Sequence, residues 1–426
     1  MMLRWEQLQP VNAIQVAWLN GSYSAATVCA AATRVLQRLL RLPSSVHRGI
    51  ELNPDALFSF SHRLGVGDWR AHLESLVTDE LNNPYLTGEP PIRITLLELR
   101  PEGQFLAFGY RHVIADARST ALVMHEIMKE LSHPAGSTGA TPSFPSLHVG
   151  GQSIRELFPT EYGWLPTLRF GWHLVQEWWK SQHCVRLPMI APENDRMEFR
   201  IHQTALPMSA LQEHCRRLQG TMNDLLIASI LDWFARRGTS RSKRRTDLAV
   251  ATLVDLCHRG APPQPLAFGQ FLSQFVVRAP VRRGASFADL VRLTAERTGP
   301  LKQVAPLVRS ARGFDFLARL WDLVPAIRRP AHLPAVLPLV GGISNVNLRS
   351  IVGSEGASPV VRNYFRGTCV TNVLPMMLSL TTVRDMATLT TTHRPAYFTP
   401  QEMDDLAAHV TQRLFGEGVA AERVAA

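Results

Sequence analysis

His112 and Asp116 lie four residues apart in the stretch FGYRHVIADARSTALVMHEI, and their types and spacing offer chemistry. An imidazole titrates near neutral pH, so it can take a proton from a hydroxyl or an amine and later return it. A carboxylate at the start of a helix can cap backbone N–H groups and hold the turn that carries the imidazole. Each residue also has a plainer structural reading: His112 as a core imidazole with satisfied partners, Asp116 as an ordinary helix cap. The pair alone decides little, since a chain with 15 histidines yields about one HxxxD by chance.

The elements on either side position the pair. IRITLLELRPEGQFLAFGYRHVI reads as a hairpin turning at Pro101, Glu102 and Gly103. Period-two alternation places Leu106, Phe108, Tyr110 and His112 on one face and sends Arg111 to the other, so the apolar side of the strand delivers His112 inward. After Asp116 a helical pattern runs until just before Pro134, and HPAGSTGATPSFPS then reads as a surface loop. AIQVAWLNG and the Ser-capped run SYSAATVCAAATRVLQRLL supply an earlier strand and helix. Further on, Trp164, Trp172, Trp178 and Trp179 cluster at helical spacing. This pattern is expected to pack a lobe interface, with contact to a membrane surface as the alternative.

The second half alternates in the same way. RMEFRIHQTALP is a strand, MSALQEHCRRLQ a helix, and TMNDLLIASILDWFARRG a strongly apolar helix with Thr or Asn as its cap. TDLAVATLVDL and PLAFGQFLSQFVVRAP read as strands, FADLVRLTAERTGPLKQ and GFDFLARLWDLVPAIRR as amphipathic helices. PLVGGISNVNL and MMLSLTTVRDMATLTTTH precede a last helix, TPQEMDDLAAHVTQRLF. Strands alternating with helices in both halves give an α/β or α+β class with mixed sheets.

Composition sets the outer bounds. A chain of 426 residues exceeds one ordinary core, so two lobes are expected, and 46% hydrophobic with 19% charged residues is the profile of a globular protein. No apolar run is long enough to span a bilayer, and Glu6 and Asn12 interrupt the N-terminal apolar pattern a signal peptide needs, which predicts a cytoplasmic protein. Cys29, Cys184, Cys215, Cys257 and Cys369 are scattered singly, which argues for buried thiols and against both a disulfide framework and structural zinc; no metal is expected. A formal charge of +10 and a pI near 9.9 favour anionic partners. The one dense basic run, RRGTSRSKRR, comes with no nucleic-acid-binding signature, so a phosphorylated cofactor arm or an acidic carrier protein suits the charge better than nucleic acid.

YRHVIADARSTALVMHEI resembles the HHxxxDG segment of the condensation-domain and coenzyme A-dependent acyltransferase superfamily, which includes chloramphenicol acetyltransferase-like enzymes. The likeness continues along nearly the whole chain. IQVAWLNGSYSAATVCAAATRVLQRL is similar to the opening strand, glycine and helix, and TMNDLLIASILDWFAR to the T-x-N-D-x-L-L-A-A helix. ATLVDL and FGQFLSQFVVRAP stand in the places of the V-D-L-R and G-N strands, ISNVN matches the SN segment, and YFTPQEM begins the last helix.

The resemblance implies two chloramphenicol acetyltransferase-like lobes meeting in a V, residues 1–185 carrying the HxxxD motif and residues 186–426 the TMND helix and SN segment. The active site would be a tunnel between them. It implies a stand-alone acyltransferase, a monomer with no permanently bound cofactor, working in specialised-metabolite or lipid biosynthesis. The acyl donor would be a phosphopantetheine thioester on coenzyme A or an acyl carrier protein, and the acceptor a small hydroxyl or amine compound. His112 would be the general base and Asp116 the residue orienting the turn, often through an Arg in the family. Ser344 and Asn345 are the matched oxyanion candidates, with Arg111 and Arg259 as further polar candidates. Three positions depart from the pattern: Arg111 stands at the first His, Ala117 at the Gly, and Cys257 at the Arg of V-D-L-R, with Arg259 as a possible replacement partner for Asp116. These departures support the alternative of a catalytically degenerate scaffold that binds a carrier protein; the retained His112 and SN segment oppose it.

Overall fold

The computed structural model describes residues 2–39, 57–132, 148–149, 154–191, 193–237, 245–256, 267–280, 284–325, 328–329, 337–352 and 361–415. A short helix, α1 (Met2–Trp5), is followed by β1 (Asn12–Leu19), α2 (Ala25–Leu39), β2 (Ser59–Val66), α3 (Trp69–Asn82), β3 (Ile92–Arg100), β4 (Gly103–Arg111) and α4 (Ala117–Ser132). Next come β5 (His148–Val149), α5 (Ile154–Leu157), α6 (Trp164–Ser181), β6 (Glu198–Pro207), α7 (Met208–Arg217), α8 (Met222–Arg237), β7 (Asp247–Asp255), β8 (Ala267–Phe268) and β9 (Leu272–Pro280). The remainder is α9 (Phe287–Leu301), α10 (Val304–Leu320), β10 (Gly341–Asn347), β11 (Val361–Thr368), β12 (Met376–Val383), β13 (Met386–His393) and α11 (Pro400–Phe415).

The class is mixed α/β, with two mixed sheets as the sequence predicts. The first sheet has the order β11–β1–β4–β3–β2 and the second β6–β13–β12–β10–β7–β9, while β5 and β8 pair as a small ribbon. The hairpin of β3 and β4 turns at Gly103, whose φ of +112° a side chain would resist. Leu106, Phe108 and Tyr110 on one face of the first sheet pack against Val28 and Leu36 of α2 and Val123 and Ile127 of α4. On the other face, Phe105 and Ala107 meet Leu73 and Val77 of α3 and Phe199 and Ile201 of β6. The second sheet buries its face against α8, α9 and α11. Among the described residues no helix is long and apolar enough to cross a membrane.

The lobes share a strand. β11 lies late in the chain yet pairs antiparallel with β1, from Ala13 opposite Thr368 to Leu19 opposite Val361. The second half of the chain therefore lends a strand to the first sheet. The sequence VRNYFRGT gives no strand signal because Arg366 occupies a position that alternation reserves for apolar residues.

Other expectations need correction. PLAFGQFLSQFVVRAP is two strands broken at Gly269–Phe271, and α10 begins at Val304, well before GFDFLARLW. Three of the four clustered tryptophans of α6 do not pack a lobe interface: Trp172, Trp178 and Trp179 are 65%, 51% and 63% exposed. The helix packs instead through buried Phe170, whose ring meets Phe316 of α10 edge-on. Cys184 and Cys215 are buried free thiols, but Cys29 and Cys369 are only partly covered. Cys257, Arg259, most of RRGTSRSKRR and all of HPAGSTGATPSFPS lie outside the described residues.

Two glycines test how tightly β11 is held. A Cβ on Gly367 would come within 2.5 Å of Val77 Cγ1 and 3.1 Å of Ile14 Cγ2, both on stiff buried side chains, whereas one on exposed Gly171 in α6 would meet nothing. Gly367→Ala is expected to cost about 1–3 kcal/mol by overpacking, and Gly171→Ala to stabilise by up to about 1 kcal/mol through helix propensity. Opposite shifts in melting temperature would verify both; equal shifts would show that β11 is loosely seated.

Candidate active site

β4 ends at Arg111, and the chain turns at once to begin α4 at Ala117. His112 sits inside this turn and is 5% exposed. Its backbone N–H donates to Val11 O at 2.9 Å, and Ile114 N donates to Arg111 O at 3.0 Å. The ring continues the face of Tyr110, which it meets edge-on at 5.8 Å. His112 Nδ1 lies 3.0 Å from Ala115 O; a carbonyl can only accept, so Nδ1 carries the proton. That leaves the Nε2 lone pair available, and among the described residues no group bonds to it. Burial pushes the imidazole pKa below its ordinary value, with a smaller downward push from the charge of Arg366. A neutral ring with its basic nitrogen unspent results.

Asp116 is buried and fully engaged. Oδ1 accepts from Ser119 N at 2.9 Å, the helix cap anticipated from sequence. Oδ2 accepts from Phe271 N at 3.1 Å in the turn between β8 and β9. The return bond runs from Asp116 N to Gly269 O at 2.9 Å. Gln270 in the same turn donates from Nε2 to His112 O at 2.7 Å. Asp116 therefore orients the turn through backbone donors; among the described residues no Arg pairs with it. Burial, and then the charge of Asp255, raises its pKa to about 6.

Two cavities meet at the His112 ring. One, of about 240 Å³, has the polar groups of Gln15, Tyr110, Asp116, Ser344, Asn345 and Arg366 in a wall that also includes Ile14, Leu253 and Val346. The other, of about 390 Å³, is largely apolar and includes Trp5, Val276, Phe314, Leu339 and Met377. Leu253, Leu272 and Thr368 join His112 in lining both. His112 is thus common to both walls.

The remaining candidates separate. Ser344 on β10 is buried and lines the smaller cavity. Asn345 lines it too, but its Nδ2 donates to Asn223 Oδ1 at 2.8 Å and so ties β10 to the TMND helix α8. Asp224 of that helix accepts from Thr221 and Thr298 and pairs with Lys302 at 3.1 Å, a structural task. Arg111 lines neither cavity; it faces away and forms a two-pronged pair with Glu6, at 2.8 and 2.6 Å.

Sequence reasoning missed Arg366. It is 5% exposed on β11 and reaches across to the second sheet. Nε donates to Thr381 Oγ1 at 2.8 Å, Nη1 to Ser344 Oγ at 3.2 Å, and Nη2 to Ser344 O at 3.0 Å. Its parity with Tyr364 would have marked an inward Arg, had the segment been read as a strand. Gln15 was also missed; its Nε2 donates to Ala117 O at 2.7 Å and fixes the start of α4.

Asp116 makes stability depend on pH. In the native state it holds its proton to about pH 6, against an ordinary value of 3.8. Between those values the native state binds more protons than the unfolded chain, so stability falls as pH rises through that window, by on the order of 3 kcal/mol. Asp116→Asn should be less stable throughout, because one backbone donor loses its acceptor, and should lack this fall. Denaturation of both proteins from pH 4 to 7 checks it; parallel curves would exclude Asp116 as the titrating group.

A scan against protein-family models and a search of curated proteins found no match. Solved structures match along nearly the whole chain. The first condensation domain of the CDA synthetase has a TM-score of 0.64 at 14% identity, over 97% of this chain and 94% of that one. A mutant starter condensation domain of rhizomide synthetase gives 0.61 at 16%, over 97% and 90%. The epimerization domain from the third module of tyrocidine synthetase B gives 0.61 at 12%, over 95% and 92%. At such identities the likeness concerns the fold. The chain has the fold of the condensation-domain superfamily.

Proposed function

We propose that the chain is an acyltransferase that moves an acyl group from a phosphopantetheine thioester, on coenzyme A or a carrier protein, to a hydroxyl or amine acceptor. The observation that carries this reading is one neutral, buried imidazole with an unspent Nε2 that stands in the walls of two cavities. A two-substrate transfer needs that arrangement, and a core histidine does not. The larger, largely apolar cavity suits the hydrocarbon part of a substrate, and the smaller one, with Ser344 and Arg366 in its wall, the reacting carbonyl. The formal charge of +10 suits coenzyme A phosphates or an acidic carrier. The rhizomide synthetase domain of similar fold is in complex with C8-CoA and Leu-SNAC, which favours the same kind of donor here.

In this mechanism His112 Nε2 takes the proton of the acceptor O–H or N–H as that atom bonds to the thioester carbon. The carbonyl electron pair moves onto oxygen. As the pair returns, the C–S bond breaks and the leaving thiolate takes the proton back from the imidazolium. The ester or amide and a free thiol leave with the base regenerated. Holding both substrates against one ring supplies the proximity, so no acyl-enzyme is required. An ester or amide product in specialised-metabolite or lipid biosynthesis fits this chemistry.

The test is thiol release and product mass with a panel of acyl-coenzyme A and acyl-carrier donors and pooled acceptors. His112→Ala is expected to lose about 10²–10⁴-fold in turnover while keeping the wild-type melting temperature. The base must be neutral, and its pKa is lowered by burial. Activity should therefore hold at neutral pH and fall only below about 6.5, the ordinary imidazole value. Equal turnover by wild type and His112→Ala would remove His112 as base. Silence from both, with a carrier protein still bound tightly, would establish the scaffold alternative.

A further inference from the structure

Among the described residues Arg366 is a buried cation without an anion. No carboxylate lies within ion-pair distance among the described residues, and its hydrogen bonds end on neutral oxygens: Thr381 Oγ1, Ser344 Oγ, Ser344 O and Leu380 O. The acids that share its cavity are engaged elsewhere, Asp116 with two backbone N–H groups and Asp255 facing Arg118 at 4.0 Å. The nearby phenols cannot neutralise it, since burial raises Tyr110 to about 12 and Tyr364 well above its usual value. Burying an unneutralised charge costs several kcal/mol, and a charged donor fixed in a water-poor site is suited to stabilising negative charge that develops during a reaction.

Its geometry narrows that purpose. A guanidinium has five N–H donors, and the four bonds leave one Nη1 hydrogen unspent. Ser344 Oγ accepts from Nη1 at 3.2 Å. The serine proton therefore points elsewhere, and no described acceptor takes it. Two uncommitted donors, one of them charged, thus stand side by side in the wall of the cavity that holds His112.

We propose that Arg366 is a catalytic residue that joins Ser344, already an oxyanion candidate by resemblance, in receiving the carbonyl oxygen of the thioester as it becomes tetrahedral. The site rests on the acyl-transfer reading and adds a catalytic residue to it. When the acceptor bonds to the carbonyl carbon, the oxygen takes on the electron pair of the broken π bond. The Ser344 O–H and the Arg366 N–H hold that negative charge until the C–S bond breaks and the pair returns. Being fixed in place beforehand, both donors act without reorganisation.

Steady-state kinetics and one binding measurement test it. Ser344→Ala, a minimal change, is expected to lower kcat about 10²–10³-fold with KM nearly unchanged. Arg366→Gln should lose at least as much, and Arg366→Lys should recover part of the loss. The probe for the binding measurement is methyl octylphosphonate, a tetrahedral monoanion, followed by calorimetry. It should bind the wild type at least tenfold more tightly than Ser344→Ala or Arg366→Gln, each first shown to melt like the wild type. If Arg366→Gln does not fold, Ser344→Ala with the same probe decides. A raised KM at unchanged kcat would overturn the proposal in favour of a site for a substrate carboxylate. Equal phosphonate binding by all proteins would overturn it outright. Phosphonate binding that depends on Ser344 in a protein that turns over no thioester would keep the anion site and discard acyl transfer.

Discussion

One buried carboxylate keeps the base and the two lobes in register. Asp116 sits where β4 has just ended and α4 begins, and its two oxygens reach in different directions, one to the first turn of its own helix and one to Phe271 in the turn that precedes β9. Gly269 O answers by accepting from Asp116 N and from Ser119 Oγ. Gln270, between them, holds the carbonyl of His112 itself. The turn that aims the imidazole is therefore clasped from the second lobe. Any slip between lobes would move His112, and any slip of His112 would strand a buried carboxylate without donors.

A second join lies on the other side of the base. After β10 the chain crosses to the first sheet, where β11 runs beside β1 and its Arg366 reaches back to β10 and β12. Desolvation pulls the guanidinium pKa down to about 10, which still leaves it charged at neutral pH. The cost of that buried charge is offset by four hydrogen bonds, all of which tie the sheets together. The same group lowers the basicity of His112 slightly, by like-charge repulsion, and burial does most of the rest. A weaker base is no handicap here, because a ring that is neutral at working pH is already in its active form.

Much of this was legible in the sequence, for identifiable reasons. The β3–β4 hairpin, the inward parity of His112 and the capping role of Asp116 follow from short-range rules, alternation and helix-end chemistry, and the structure bears them out. Arg366 was not legible, because its strand is defined by a partner some 350 residues away and its one diagnostic residue is polar. The break at Gly269–Phe271 was hidden for a related reason: what opens the strand is a side chain on another lobe. The tryptophans of α6 misled because helical spacing tells which residues share a face and cannot tell whether that face is covered.

Identities of 12 to 16% with structures of the same fold raise the question of how a precise site survives such divergence. The bonds around His112 suggest an answer. Val11 O, Ala115 O, Gly269 O, Phe271 N, Ser119 N and Ala117 O do most of the holding, and every one of them is a backbone group. Any residue supplies such a group once the chain follows the right path, so sequence can drift widely while the turn stays where it is. Side-chain identity is demanded at few places: the imidazole, the carboxylate that answers the backbone donors, and the amides of Gln15 and Gln270 that pin carbonyls. Arg366 and Ser344 form the exception, a pair built almost wholly from side-chain chemistry. A feature that depends on two particular side chains, costs desolvation energy and stands beside the base is where this chain has room to differ in activity from others of its fold.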